Sequence, residues 1–127
     1  LDRRVWEVVA KIQARCLKKW HPEQSEGVDA LKACLETKLA MEGYDATVER
    51  ESEGEPLVVT VRGCPWHRKM VDAGREGLAE RVGRAICPAE FGAWAREFGL
   101  SCSVRVDSCL CGGQTRCSMV FVAEGPG

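Results

Sequence analysis

A chain of 127 residues has room for one domain and little more. With 45% hydrophobic and 29% charged residues it has the composition of a folded globule, which excludes a disordered or fibrous chain. Eighteen basic residues against nineteen acidic leave a formal charge of -1, so the basic surplus of a nucleic-acid-binding surface is missing, and no apolar run reaches the ~20 residues of a membrane span.

Residues 2–20 place Val5, Val9, Ile12, Cys16 and Trp20 at helical spacing, with Arg3, Arg4, Lys11, Lys18 and Lys19 elsewhere around the wheel. An amphipathic helix that buries this stripe is expected. Asp2 caps it, and His21-Pro22 stops it because Pro disfavours the helical region for its predecessor. A second helix is expected from Gly27 to Glu42, with Val28, Leu31, Leu35 and Leu39 inward and Gly43 as the C′ residue. Cys16 and Cys34 lie on or beside these stripes and read as small buried hydrophobes.

Tyr44 to Glu51 reads as a strand, because Tyr44, Ala46 and Val48 alternate with Asp45, Thr47 and Glu49. Ser52 to Pro56 is a turn, and Leu57 to Arg62 is a β-branched strand that pairs back as an antiparallel hairpin. Residues 66–86 return to helix, interrupted near Gly74 and Gly77. Cys87-Pro88 then opens a further helix with Pro88 in its first turn, and Gly99 ends it. Cys102, Val104 and Val106 alternate in a third strand. A turn over Leu110 to Thr115 leads into a fourth, where Cys117, Met119 and Phe121 alternate with Ser118, Val120 and Val122. The expected architecture is a single α+β domain over 1–127. A helical pair fills 1–43. A cysteine-rich α/β part over 44–122 builds a small, mostly antiparallel four-stranded sheet with helices on one face.

Eight cysteines are many for such a chain, yet its long helical periods and apolar content are unlike a disulfide-stapled fold. We read them as reduced, a subset binding metal, with disulfides or unlinked thiols as the alternatives; a reduced set implies a cytoplasmic location. Cys64 follows a strand, Cys87 is expected at a helix start whose dipole favours thiolate, and Cys109, Cys111 and Cys117 flank one hairpin turn. Strand ends, helix starts and hairpin tips gather in space. Soft thiolates suit zinc or an iron–sulfur cluster, so Cys64, Cys87, Cys109 and Cys117 are the expected ligands, with Cys111 the alternate. The spacing is that of neither a zinc ribbon nor a bacterial ferredoxin.

Cys64-Pro65-Trp66-His67, Ile86-Cys87-Pro88-Ala89-Glu90-Phe91, Cys109-Leu110-Cys111-Gly112-Gly113 and Arg116-Cys117-Ser118-Met119-Val120-Phe121 together carry a resemblance. Over about residues 44–122 the chain resembles the L-2-amino-thiazoline-4-carboxylic acid hydrolase-like proteins and the related 4-vinyl reductase domains. The resemblance implies a small α+β domain that holds a metal through cysteine and sometimes a carboxylate. It implies either ligand sensing or opening of a thiazoline ring. This chain has more hairpin cysteines than those families, which favours four thiolates and raises the expectation of a 4Fe-4S cluster.

Other residues complete the expected site. His67 stands three residues after Cys64, a spacing that can share a metal, and is equally an ordinary helix-start residue. Glu90 is a further ligand or a general base, or simply a first-turn acid favoured by a helix dipole. Gly112 and Gly113 let backbone N–H groups approach sulfur. Arg62, Arg68 and Lys69 flank Cys64 and offer charge to a thiolate site or to a carboxylate ligand. Trp66, Trp94 and Arg68 line a ligand pocket, or the two tryptophans are plain core; Cys102 reads as core. The expected function is a metal-binding sensory or accessory domain for a small molecule. It acts as a homodimer or as part of a larger protein, with neither nucleic acid nor membrane as partner. A metal-dependent hydrolase of a small thiazoline-like or amide substrate is the rival, and an iron–sulfur redox module a third reading.

Overall fold

The structure, a computed structural model, describes residues 3–20, 27–50, 56–108 and 116–123. In chain order the elements are α1 (Arg3–Lys18), α2 (Val28–Met41), β1 (Asp45–Glu49), β2 (Leu57–Gly63), α3 (Pro65–Asp72), α4 (Glu76–Glu97), β3 (Cys102–Ser108) and β4 (Cys117–Ala123). The strands form one antiparallel sheet in the order β1-β2-β4-β3, so the α+β class and the four-stranded sheet are as expected.

Strand alternation decides which face is covered. Leu57, Val59 and Val61 of β2 and Met119 and Phe121 of β4 are buried, and they join Leu31, Leu35 and Leu39 of α2 and Phe91, Trp94 and Phe98 in one core. Phe91 meets Phe121 edge-on with ring centroids 6.3 Å apart, which fixes α4 against the sheet. The end of α2 is a Schellman motif: Tyr44 N–H donates to Leu39 O at 2.9 Å and Gly43 N–H to Ala40 O at 3.1 Å. Gly43 takes φ +84°, a left-handed conformation that other residues reach only under strain, so the expected C′ glycine is the observed one.

Two expectations are corrected. The first concerns α1. Its buried residues are Ala10, Ala14 and Leu17, while Val5, Ile12 and Trp20 are 59%, 58% and 68% exposed and Cys16 is exposed as well. The helix lies along α4, where the buried residues Gly92 and Ala93 are also small. Two helices approach closely only where side chains are short, so the alanine stripe wins the inside over the bulkier valine–isoleucine stripe. Polar contacts hold the pair: Arg15 Nε donates to Glu97 at 2.8 Å, Arg96 to Glu7 at 3.4 Å, and Lys18 Nζ to the Glu97 carbonyl at the C-terminal end of α4.

The second correction concerns the later helices. Chain direction breaks once, between α3 and α4, and α4 then runs unbroken for 22 residues with Pro88 inside it. Pro88 has no N–H to give to the carbonyl of Arg84, one turn back. Arg84 and Ala85 are exposed, so water can solvate that carbonyl, and the helix continues. Cys87 therefore lies in mid-helix, away from the positive dipole end expected beside it.

Candidate metal centre

A helix start does carry a cysteine, but it is Cys64. With φ -117° and ψ 116° Cys64 is the N-cap of α3, Pro65 follows within the first turn, and Cys64 Sγ accepts the His67 backbone N–H at 3.4 Å. The positive end of α3 thus meets the Cys64 sulfur. His67 contributes to this cap through its backbone.

Tyr44 sits opposite. The β1–β2 register pairs Asp45 with Gly63, so one step beyond the ladder Tyr44 faces Cys64. The same turn touches α3, since a Cβ on Gly43 would lie 3.7 Å from Pro65 Cγ. Burial pushes the Tyr44 phenol far above its ordinary pKa, and charge on Cys64, Cys87, Glu42 and Glu90 pushes it further the same way. One half-buried phenol therefore feels thiols from the β2–α3 junction and from the middle of α4.

Cys117 belongs to the same end of the sheet. It is the register partner of Val61, three residues before Cys64. The Phe91–Phe121 contact leads there from α4 as well: one turn back on α4 is Cys87, and two same-face positions back on β4 is Cys117. Cys64, Cys87 and Cys117 are all half-buried and packed against the core. Cys109, Cys111, Gly112 and Gly113 lie outside the described residues. The chain joins them between Ser108 and Arg116, which meet at this end through a hydrogen bond from Ser108 Oγ to Arg116 O at 3.0 Å.

Among the described residues no three Cys, His, Asp or Glu side chains come close enough to share a metal ion. Their chemistry fits a soft metal, but a full ligand set would have to draw on the cysteines of 109–115. Glu90 is not a first-turn acid. It lies in mid-helix, 3.1 Å from the buried ammonium of Lys38, which also pairs with Glu42 and lies 5.9 Å from the centre of the Trp94 ring. Lys38 was missed in the sequence, although its place in the series Leu31, Leu35, Lys38 put a cation on the buried stripe of α2. Tyr44 was missed too; its signal was its place just after the C′ glycine and opposite Cys-Pro.

Trp94 is fully buried and stacked on Phe98, so it serves the core. Trp66 is half-buried and Arg68 exposed on α3, next to Cys64. Cys102 starts β3 at the far end of the sheet, paired with Ala123, half-buried against the core. Cys34 is buried as expected, and burial raises its thiol pKa while Lys18 pulls it part of the way back.

None of the described helices is long and apolar enough to cross a membrane. No protein-family model and no curated protein matches this chain.

Proposed function

We propose that the chain is a metal-binding, cysteine-rich sensory or accessory domain. In this reading Cys64, Cys87 and Cys117 hold zinc or a 4Fe-4S cluster together with Cys109, or with Cys111 in its place. The observation that carries it is the geometry of one sheet end: Cys64 caps α3 just beyond β2, Cys117 opens β4 opposite Val61, and Ser108 and Arg116, which bound the 109–115 segment, meet there. Four thiolates would close a zinc site and give it a structural role; a 4Fe-4S cluster held by them would supply one-electron chemistry. The resemblance to hydrolase-like and 4-vinyl reductase-type proteins supports the same end of the molecule, with a small-molecule ligand beside it at Trp66 and Arg68.

The hydrolase reading needs an open coordination position or a carboxylate on the metal. Glu90 is engaged by Lys38, which favours the closed site. Glu90→Gln should therefore leave the metal in place.

The test is elemental analysis with a visible spectrum on the full chain purified without oxygen. Stoichiometric zinc, or iron with acid-labile sulfide, is expected. Cys64→Ser and Cys87→Ser should each lose it, while Cys16→Ala and Cys34→Ala keep it. Chelation should lower the melting temperature by several degrees or more, because binding energy is partly folding energy. A chain that holds neither metal, or that melts unchanged after verified metal loss, defeats the proposal.

A further inference from the structure

The outward face of α1 stands out among the described residues. Val5, Val8, Val9, Ile12, Trp20 and Met41 are all exposed there and at the neighbouring end of α2, and only Val71 and Leu78 are exposed large hydrophobics elsewhere. On a helical wheel of ~100° per residue, Val8, Ile12, Val5, Cys16 and Val9 form one continuous outward arc. Arg4 and Lys11, both exposed, run along the border of this arc beside Val8, where Arg15 is paired with Glu97 of α4, and Lys19 projects from the turn that follows. The described residues put no acid on the arc: Glu7, the one acid of α1, is on the α4 side, bonded to Arg96.

Against the expectation that no membrane is a partner, we propose that this face docks on an anionic lipid bilayer, with α1 lying in the plane of the interface. An apolar arc bordered by cations and closed at one end by a tryptophan is what an interfacial helix presents to lipid. Charge and shape select this occupant over two others. A second copy packed antiparallel on the same face would set the cationic border of one helix against that of its partner. A partner helix needs a long groove between two ridges. Here the face is the convex side of one helix, and the cleft at its end, lined by Ile12, Cys16, Leu17, Trp20 and Met41 together with the Lys38–Glu42 ion pair, holds about 260 Å³. That volume takes a short acyl segment, not a helix.

The experiment is co-sedimentation of the full chain with vesicles of phosphatidylcholine alone or with ~30% phosphatidylserine. Binding to the anionic vesicles is expected, at least ~10-fold weaker on the neutral ones and lost at ~0.5 M salt. Ile12→Asp and Val5→Asp alter exposed positions, so they should melt like the parent and bind at least ~10-fold more weakly. Lys11→Glu with Lys19→Glu should weaken binding to anionic vesicles alone. Absence of binding by the parent, equal binding to both lipids, or full binding by well-folded Ile12→Asp overturns the proposal. So does a dimer in sedimentation equilibrium that Ile12→Asp disperses, which gives the face to a second copy, or capture of an acidic amphipathic peptide without vesicle binding, which gives it to a protein.

Discussion

Tyr44 is the chain's one tyrosine, so its phenolate absorbance reports a single site. The folded, metal-free protein holds the phenolic proton more tightly than the unfolded chain, whose tyrosine ionises near ~10. The stability that goes with this is intact below ~10 and is lost as pH rises above it. Phenolate absorbance should accordingly appear together with unfolding in an alkaline titration followed also by circular dichroism. A phenol that ionises near ~10 in a still-folded protein would show that burial does not act on it as described. Lys38 makes a second case. Lys38→Met leaves Glu90 half-buried without its cation and should cost ~2–4 kcal/mol in urea unfolding. Adding Glu90→Gln should return part of that loss; two losses that simply add would mean the pair is not coupled.

Among the elements, those whose burial follows size were legible. The apolar stripe of α2, the four strands and the Gly43 cap are where periodicity and cap chemistry placed them. The inside of α1 was not legible, because periodicity ranks side chains by bulk while helix–helix contact with α4 selects Ala10 and Ala14 for their smallness. Ala14→Leu should therefore destabilise the protein by ~1–3 kcal/mol through overpacking, whereas Ile12→Ala should change stability little. Thermal melts of the two variants check this, and the reverse order would return the valine–isoleucine stripe to the core. Pro88 was misread for a related reason. Pro commonly starts helices, and nothing local announces that the solvent-facing carbonyl of Arg84 lets a longer helix run through it. The candidate site was legible as a set of cysteines near loop ends. Its partners Tyr44 and Lys38 were not, and neither was the pairing of Lys38 with Glu90, because these meetings depend on how α2 and α4 cross the sheet.

At the scale of the molecule, the strand order carries a cost in time. The two hairpins are local, since β1 follows directly on α2 into β2 and β3 leads into β4. The ladder that joins them is not: Val59 of β2 finds Met119 of β4 only after α3, α4 and β3 have been threaded between them. Closing so long a loop costs chain entropy before any contact is gained, and such non-local pairing slows folding. The central β2–β4 ladder is therefore expected to form late, after α4 has docked through Phe91. Val59→Ala should then mainly speed unfolding, while Thr47→Ala in the β1–β2 hairpin should mainly slow folding, which stopped-flow chevrons would separate. The proposed metal ligands straddle that last ladder, Cys64 just beyond β2 and Cys117 at the start of β4. The site would come together only when the final strands pair, so metal would arrive as a latch on a finished fold and not as the seed of one.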